Sequence, residues 1–229
     1  MNTTSGRERL EYQQQLSRLA SIAPVQFETV IDVGANEGQF AKLARAVYPS
    51  AKIIAFEPIP KCYQQLLHHF GSDENFIGFN VALGSESRER SFLVTDYSAT
   101  SSFLRLATQH KHEFLETGNA STITVSEKQF EELYEPDQIK SPCLLKIDVQ
   151  GYELEVLRNN EGLLKNVHTI LVETSFVEVY EGQSLFADVF LFLHERGFVF
   201  KGNFEQLRGL GTSQIMQADA IFFNSRYTR

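Results

Sequence analysis

Cysteine is scarce: the 229 residues contain only Cys62 and Cys143. They lie far apart with no CxxC spacing. That argues against a disulfide framework and a cysteine-based zinc cluster, and makes a reducing, cytoplasmic setting the default expectation. Long apolar runs are missing too. No stretch approaches the ~20 residues that span a bilayer, so no transmembrane segment is expected. The opening MNTTSGRERLEYQQQL lacks the apolar core of a secretory signal. Positive charge is in short supply: 21 Lys and Arg stand against 29 Asp and Glu, a formal charge of −8. With no basic run and no Asn-Pro-Pro-Tyr-type motif, nucleic acid is not expected as a partner. No fixed-period repeat and no low-complexity tract breaks the chain.

Hydrophobic residues make up 42% of the chain, enough for one continuous core, and we expect residues 1–229 to form a single domain. Leu10, Leu16, Leu19 and Ile22 recur at near-helical spacing, which predicts an N-terminal helix within 1–23 that packs on the domain. Short apolar runs then alternate with helical patterns. VIDV (30–33), KIIAFE (52–57), FIGFNVAL (76–83), CLLKIDV (143–149) and HTILVET (168–174) read as strands. QFAKLARAVY (39–48), KCYQQLLHHF (61–70), YELEVLRNN (152–160) and SLFADVFLFLHERG (184–197) read as helices. FVFK (198–201) and ADAIFF (218–223) read as terminal strands. This alternation predicts a mostly parallel sheet covered on both faces. Residues 84–142 interrupt it, far beyond the ~2–6 residues of an ordinary connection. Within this insertion, RERSFLV (88–94) and STITV (121–125) suggest an antiparallel pair. LRLATQHKHEFLE (104–116) and EKQFEELY (127–134, with Ser126 as N-cap) suggest helices.

Asp32, Glu57, Asp148 and Glu173 each follow an apolar run, which places all four near the carboxyl ends of predicted strands. Ligands of open α/β sheets bind outside those ends, where strand order reverses. Neighbouring strands lie ~4.8 Å apart, so carboxylates gathered there need compensation from hydroxyls, a cation or Lys146. The loop after Asp32 discriminates between ligands. Its Gly34-x-Asn36-x-Gly38 spacing departs from the G-x-G-x-x-G that cradles a pyrophosphate. It favours a phosphate-free nucleoside such as S-adenosylmethionine. Glu57 follows Asp32 by 25 residues, close to the ~20 expected of an acid on ribose hydroxyls.

These residues resemble a known family. VGANEG (33–38), FEP (56–58), VALG (81–84) and LKIDVQGYELEVL (145–157) are similar to the FkbM-type S-adenosylmethionine-dependent methyltransferases, from about residue 28 to 223. The resemblance implies a class I, Rossmann-like fold, with strand order 3-2-1-4-5-7-6 and the last strand antiparallel. It implies methylation of oxygen on sugars, glycolipids or polyketide-like products. It further implies that Asp32, Gly34, Asn36 and Gly38 hold the methionine portion and that Glu57 takes the ribose, with Pro58 stiffening its turn. Asn80, Val81 and Ala82 would approach the adenine, and Asp148 and Gln150 would face the methyl group and acceptor.

An alcohol is a poor nucleophile at neutral pH, so a base is wanted, and Asp148 is the first candidate. Lys146 shares its strand face and can hold it ionised. Glu173 is a further candidate, and two carboxylates alone underfill a hard-cation site, so no resident metal is expected. Tyr97, Thr100, Ser101, Ser102 and Tyr180 are candidate cofactor or acceptor contacts. The six histidines are expected at the surface or in packing. Expected partners are a small-molecule or glycan acceptor, and a homo-oligomer is compatible with the sequence. The competing readings are a nicotinamide-dependent oxidoreductase and a non-catalytic small-molecule binder on the same scaffold.

Overall fold

A computed structural model describes residues 6–23, 25–95, 98–105, 107, 120–209 and 213–227. The chain runs α1 (Gly6–Ala20), β1 (Thr29–Val33), α2 (Gln39–Val47), β2 (Lys52–Phe56), α3 (Pro60–Phe70) and β3 (Phe76–Phe79). There follow β4 (Ala82–Leu83), β5 (Arg88–Thr95), β6 (Ala120–Lys128), β7 (Cys143–Ile147), α4 (Glu153–Asn159) and β8 (Val167–Ser175). The last elements are α5 (Phe186–Glu195), β9 (Phe198–Arg208) and β10 (Ile215–Asn224). Seven strands form one sheet in the order β3-β2-β1-β7-β8-β10-β9. β1 pairs in parallel with β2 and β7, and the parallel set extends to β3 and β8. β10 runs antiparallel to both of its neighbours. With the small second sheet set aside, this is the expected order 3-2-1-4-5-7-6.

Alternation along each strand divides the interior into two cores. Ile31 and Val33 of β1 join Leu145, Ile147, Val172 and the inward faces of α4 and α5. Val30 joins Leu144, Leu171 and the helices α1 and α2 on the opposite face. Both faces are covered, which is why these strands read as unbroken apolar runs. Complete burial of one such aliphatic side chain stabilises by roughly 1.5–3 kcal/mol. Asp32 occupies a position in this series that packing alone would give to Val or Ile, and it is fully buried. Taking a carboxylate out of water costs several kcal/mol, so its presence calls for a reason other than packing. Helix ends follow local chemistry: Pro60 opens α3 and Gly71 caps it, while Asp188 accepts from the Leu185 N–H to start α5.

Three expectations need correction. FIGFNVAL is not one strand: β3 ends at Phe79, and Ala82–Leu83 leave the main sheet to pair in parallel with Glu127 and Lys128. The break falls at Asn80, whose side-chain amide donates to the carbonyls of Glu57 and Pro58 instead of continuing a strand. EKQFEELY is not a helix of eight residues. Its first two residues end β6, and only Phe130–Glu132 coil, as one 3₁₀ turn capped by Gln129 and Glu132, so Ser126 is a strand residue rather than an N-cap. Leu10 is 59% exposed, so α1 packs through Leu16 and Leu19. The expected pair 88–94 and 121–125 does form, as β5 against β6, and β4 joins it in a three-stranded sheet. Most of the helix expected at 104–116 lies outside the described residues.

Candidate functional site

The loop after β1 departs from ordinary backbone at three points. Gly34 (φ 81°), Asn36 (φ 50°) and Gly38 (φ 86°) all adopt positive φ, a region costly for most side chains. The N–H groups of Gly34 and Ala35 both donate to the Phe56 carbonyl at 3.0 Å. A Cβ on Gly34 would stand 1.9 Å from the Asp148 carbonyl oxygen. Only glycine lets the β1 loop lie this close to the end of β7. Gly38 answers a different need: a Cβ there would meet Leu66 Cδ1 at 2.8 Å, so it seats α2 against α3.

Glu57 stands directly after β2, buried at the rim of the sheet. Its oxygens accept from the Asn36 N–H (2.8 Å) and the Ile59 N–H (2.7 Å), tying the β1 loop to the β2 turn. Burial pushes its pKa up to about 7, against the pull of those two hydrogen bonds. Asp32 lies beneath, opposite Lys146 in the β1–β7 register. Neither of its carboxylate oxygens has a hydrogen-bond partner, and the Lys146 ammonium is 3.6 Å away. Burial raises its pKa, and Lys146 opposes that rise. Lys146 also reaches Asp148 (3.3 Å) and the Gly34 carbonyl (3.4 Å). Burial favours its neutral form, but Asp148, Asp32 and Asp219 outweigh that and hold its pKa above the ordinary value.

Gln150 joins the tips of β7 and β8. It sits at φ 56°. Its amide donates to Asp148 Oδ1 (2.7 Å) and Glu173 Oε2 (2.9 Å), and its carbonyl oxygen accepts from the Tyr180 hydroxyl (2.6 Å). Ser102 donates to the Gln150 backbone carbonyl at 2.6 Å. Gln217 adds a second donor to Glu173 at 3.2 Å. Glu153, at the start of α4, accepts from the N–H groups of Val149 and Gly151. One oxygen from each of Asp148, Glu153 and Glu173 lies within 4.8 Å of the others. Their lone pairs already face amide donors, and burial raises the pKa of Glu153 and Glu173.

A cleft of about 510 Å³ opens along this edge. Gly34, Asn36, Glu57, Pro58, Val81, Ala82, Ser101, Lys146, Asp148 and Gln150 border it. Asp32 lies under it behind Lys146. Gly38, Asn80, Ser102, Glu173 and Tyr180 do not border it: Gly38 seats a helix, Asn80 ties a turn, and the other three support Gln150. Thr100 supports this group through its carbonyl, which accepts from Tyr180. Tyr97 lies outside the described residues.

Several lining residues were not expected from the sequence. Phe56, Phe92, Phe103 and Tyr152 build an apolar wall, with the Arg90 guanidinium 4.2 Å from the Phe103 ring centre. Tyr12 and Gln15 reach in from α1, and Phe204, Glu205 and Asp219 from β9 and β10. Asp219 carried one usable signal, an acid inside the alternating run ADAIFF. The aromatics carried none, since Phe at core spacing looks the same whether it borders a cleft or fills a core.

A seven-stranded sheet in this order, with the cleft at the carboxyl ends of β1, β2 and β7, defines a class I methyltransferase fold. The crystal structure of methyltransferase FkbM from Methylobacillus flagellatus KT is similar, with a TM-score of 0.52 at 11% identity, covering 86% of this chain and 44% of that one. Likeness at such identity speaks for the fold alone. Residues 32–200 match the methyltransferase FkbM domain. The chain belongs to the FkbM methyltransferase family. Among curated relatives, methyltransferase sdnD of Sordaria araneosa is 28% identical over 192 residues, covering 74% of this chain and 73% of sdnD. Hexuronic acid methyltransferase AglP of Haloferax volcanii is 28% identical over 167 residues, covering 72% of this chain and 63% of AglP. The 2-O-methyltransferase NoeI of Sinorhizobium fredii is 25% identical over 160 residues, covering 67% of this chain and 66% of NoeI. The matched region thus spans between 63% and 73% of these relatives' lengths. Among the described residues, no helix is long and apolar enough to cross a membrane.

Proposed function

We propose that the chain is an S-adenosylmethionine-dependent O-methyltransferase acting on a hydroxyl of a sugar, glycolipid or polyketide-like acceptor. The observation that carries this reading is one cleft shared by Glu57, the Gly34 loop and Asp148. The residues fit the cofactor chemically. Gly34 leaves bare backbone where a Cβ would collide, and the buried Asp32 carboxylate lacks hydrogen-bond donors. Glu57 would hold the ribose hydroxyls, Val81 and Ala82 the adenine, and the loop from Asp32 to Gly38 the methionine portion. When bound, the cofactor supplies an electrophilic methyl group on a sulfonium. The two relatives named for sugar and 2-O methylation support an oxygen acceptor.

In this reading Asp148 takes the proton of the acceptor hydroxyl, a contribution of ~10²–10⁴-fold for a well-positioned base. The Lys146 ammonium stands 3.3 Å from it on one side, and the Gln150 amide donates to it from the other. Glu173 and Tyr180 act through Gln150 and so are positioning residues. Calorimetry with S-adenosylhomocysteine and with NADH tests the reading: micromolar binding of the first is expected. Binding of NADH alone would move the chain to nicotinamide chemistry. Binding of S-adenosylhomocysteine with no methyl transfer to any hydroxylated acceptor would leave a non-catalytic binder.

A further inference from the structure

The cleft extends beyond what the cofactor reading uses. Glu57, Gly34 and Asp148 follow β2, β1 and β7, three adjacent strands. The lining continues over the next three: Leu171 on β8, Asp219 on β10, and Phe204 and Glu205 on β9. At ~4.8 Å per strand this adds more than 10 Å of cleft. Asp219 is two residues before Ile221, which packs in the α1/α2 core, so it points to that side of the sheet. The same side brings Phe40 and Leu43 from α2. α1 roofs the lobe, held to β9 by Glu205, which accepts from Arg18 (3.3 Å) and Gln15 (3.4 Å).

The acids around this lobe are not equivalent. Asp148 and Asp32 share Lys146. Glu205 has Arg18. Glu173, opposite Asp219 in the β8–β10 register, has Gln150 and Gln217. Asp219 lines the cleft half-buried and accepts no hydrogen bond from any described residue. A carboxylate facing a cleft with open lone pairs can take donors from a ligand and repels an anion. The wall of Leu43, Leu171, Phe40 and Phe204 wants C–H surface. A pyranose ring that carries hydroxyls but no carboxylate offers both.

We propose that this β8–β9 lobe is the acceptor site, that it takes an uncharged glycosyl unit in preference to a uronic acid, and that Asp219 sets this preference by accepting from the sugar's hydroxyls. The inference rests on the methyltransferase reading and narrows its acceptor.

The test measures methyl transfer from radiolabelled S-adenosylmethionine to 4-nitrophenyl glucoside, galactoside and glucuronide at pH 8, beside calorimetric binding of S-adenosylhomocysteine. Wild-type protein is expected to use a neutral glycoside with kcat/KM at least ~10-fold above the glucuronide. Losing one hydrogen bond to a charged group corresponds to ~10–100-fold, so Asp219→Asn should lower neutral turnover by that factor and narrow the gap. Its S-adenosylhomocysteine affinity should stay within about twofold, since the cofactor strands are untouched. Phe204→Ala, at a half-buried position, should raise KM for the neutral sugar while kcat holds. Equal or better use of glucuronide would overturn the proposal. So would failure to methylate any of the three while S-adenosylhomocysteine binds, or unchanged neutral turnover in both variants. Loss of S-adenosylhomocysteine binding by the wild-type protein would instead remove the methyltransferase reading beneath it.

Discussion

Asp148 and Gly34 meet where β7 ends, and each is open to a single-atom test. Asp148→Asn keeps the size of the side chain and its contact with Gln150, but removes the proposed base. We expect kcat to fall ~10²–10⁴-fold while S-adenosylhomocysteine affinity stays within about tenfold. A variant as active as wild type would take the base away from this position. Gly34→Ala works through sterics. Its methyl group would stand 1.9 Å from the Asp148 carbonyl oxygen at φ 81°, and the backbone strain alone costs about 1–3 kcal/mol. At ~2–4 °C per kcal/mol for a chain of this size, Tm should drop by several degrees, and S-adenosylhomocysteine binding should be lost as the loop moves. Gln150 matters for the same geometric reason. Its one amide spans two carboxylates that would otherwise repel, and its positive φ is what turns the side chain back over the strand ends.

The three-stranded insertion is held by one buried acid. Glu127 is fully buried on β6. It accepts from Arg88 (3.0 Å) and from the Ser85 N–H (3.0 Å), and lies 3.5 Å from both Arg90 and the Tyr152 hydroxyl. Removing one partner of a buried ion pair costs about 3–5 kcal/mol when the other stays buried. Here the arginine side chains are 44% and 27% exposed, so water can take over part of their charge. Glu127→Ala should therefore cost about 1–3 kcal/mol, read as a lower urea midpoint. An unchanged midpoint would mean that apolar packing alone carries the insertion. None of this was visible in the chain beforehand. The parallel core was legible because strands buried on both faces write themselves as VIDV, KIIAF and CLLKI, and because Gly71 and Pro60 mark helix ends. The insertion was legible only in its β5–β6 pair, where local alternation suffices. β4 is two residues long, too short for any period, and its departure from β3 depends on the Asn80 side chain and on a partner more than 40 residues away. The site divides the same way. Acids at strand ends could be placed by counting, as Glu57 and Asp148 were. Asp219 comes from the far, antiparallel end of the sheet, and only the crossover brings it to the cleft.

The enclosed acids give the whole molecule a pH dependence whose sign can be worked out. Glu57 and Glu153 have ordinary values of 4.5 and Asp219 of 3.8, and burial above all pushes each up to about 7. Asp148 adds to the rise at Glu153 and Asp219, and Lys146 opposes it at Glu57 and Asp219. Between about pH 4 and 7 the folded chain then binds more protons than the unfolded chain. Unfolding releases those protons, so stability falls as pH rises through that window. The contribution is complete below about pH 4 and gone above about 7. In urea, the ligand-free protein should show a higher midpoint at pH 5.5 than at pH 8. Cofactor binding should run the other way. Ribose hydroxyls donate best to an ionised Glu57, and a cationic ammonium favours ionised acids nearby, so binding in acid must expel protons. S-adenosylhomocysteine should therefore bind more tightly at pH 8 than at pH 5.5, by up to ~10-fold per pH unit for each proton released. Calorimetry in buffers of different ionisation enthalpy counts those protons directly. Under saturating ligand the two trends oppose, and the stability difference between pH 5.5 and 8 should shrink or reverse. A dissociation constant that stays flat over this range, with no proton released, would mean that Glu57 does not meet the ligand through its ionised carboxylate.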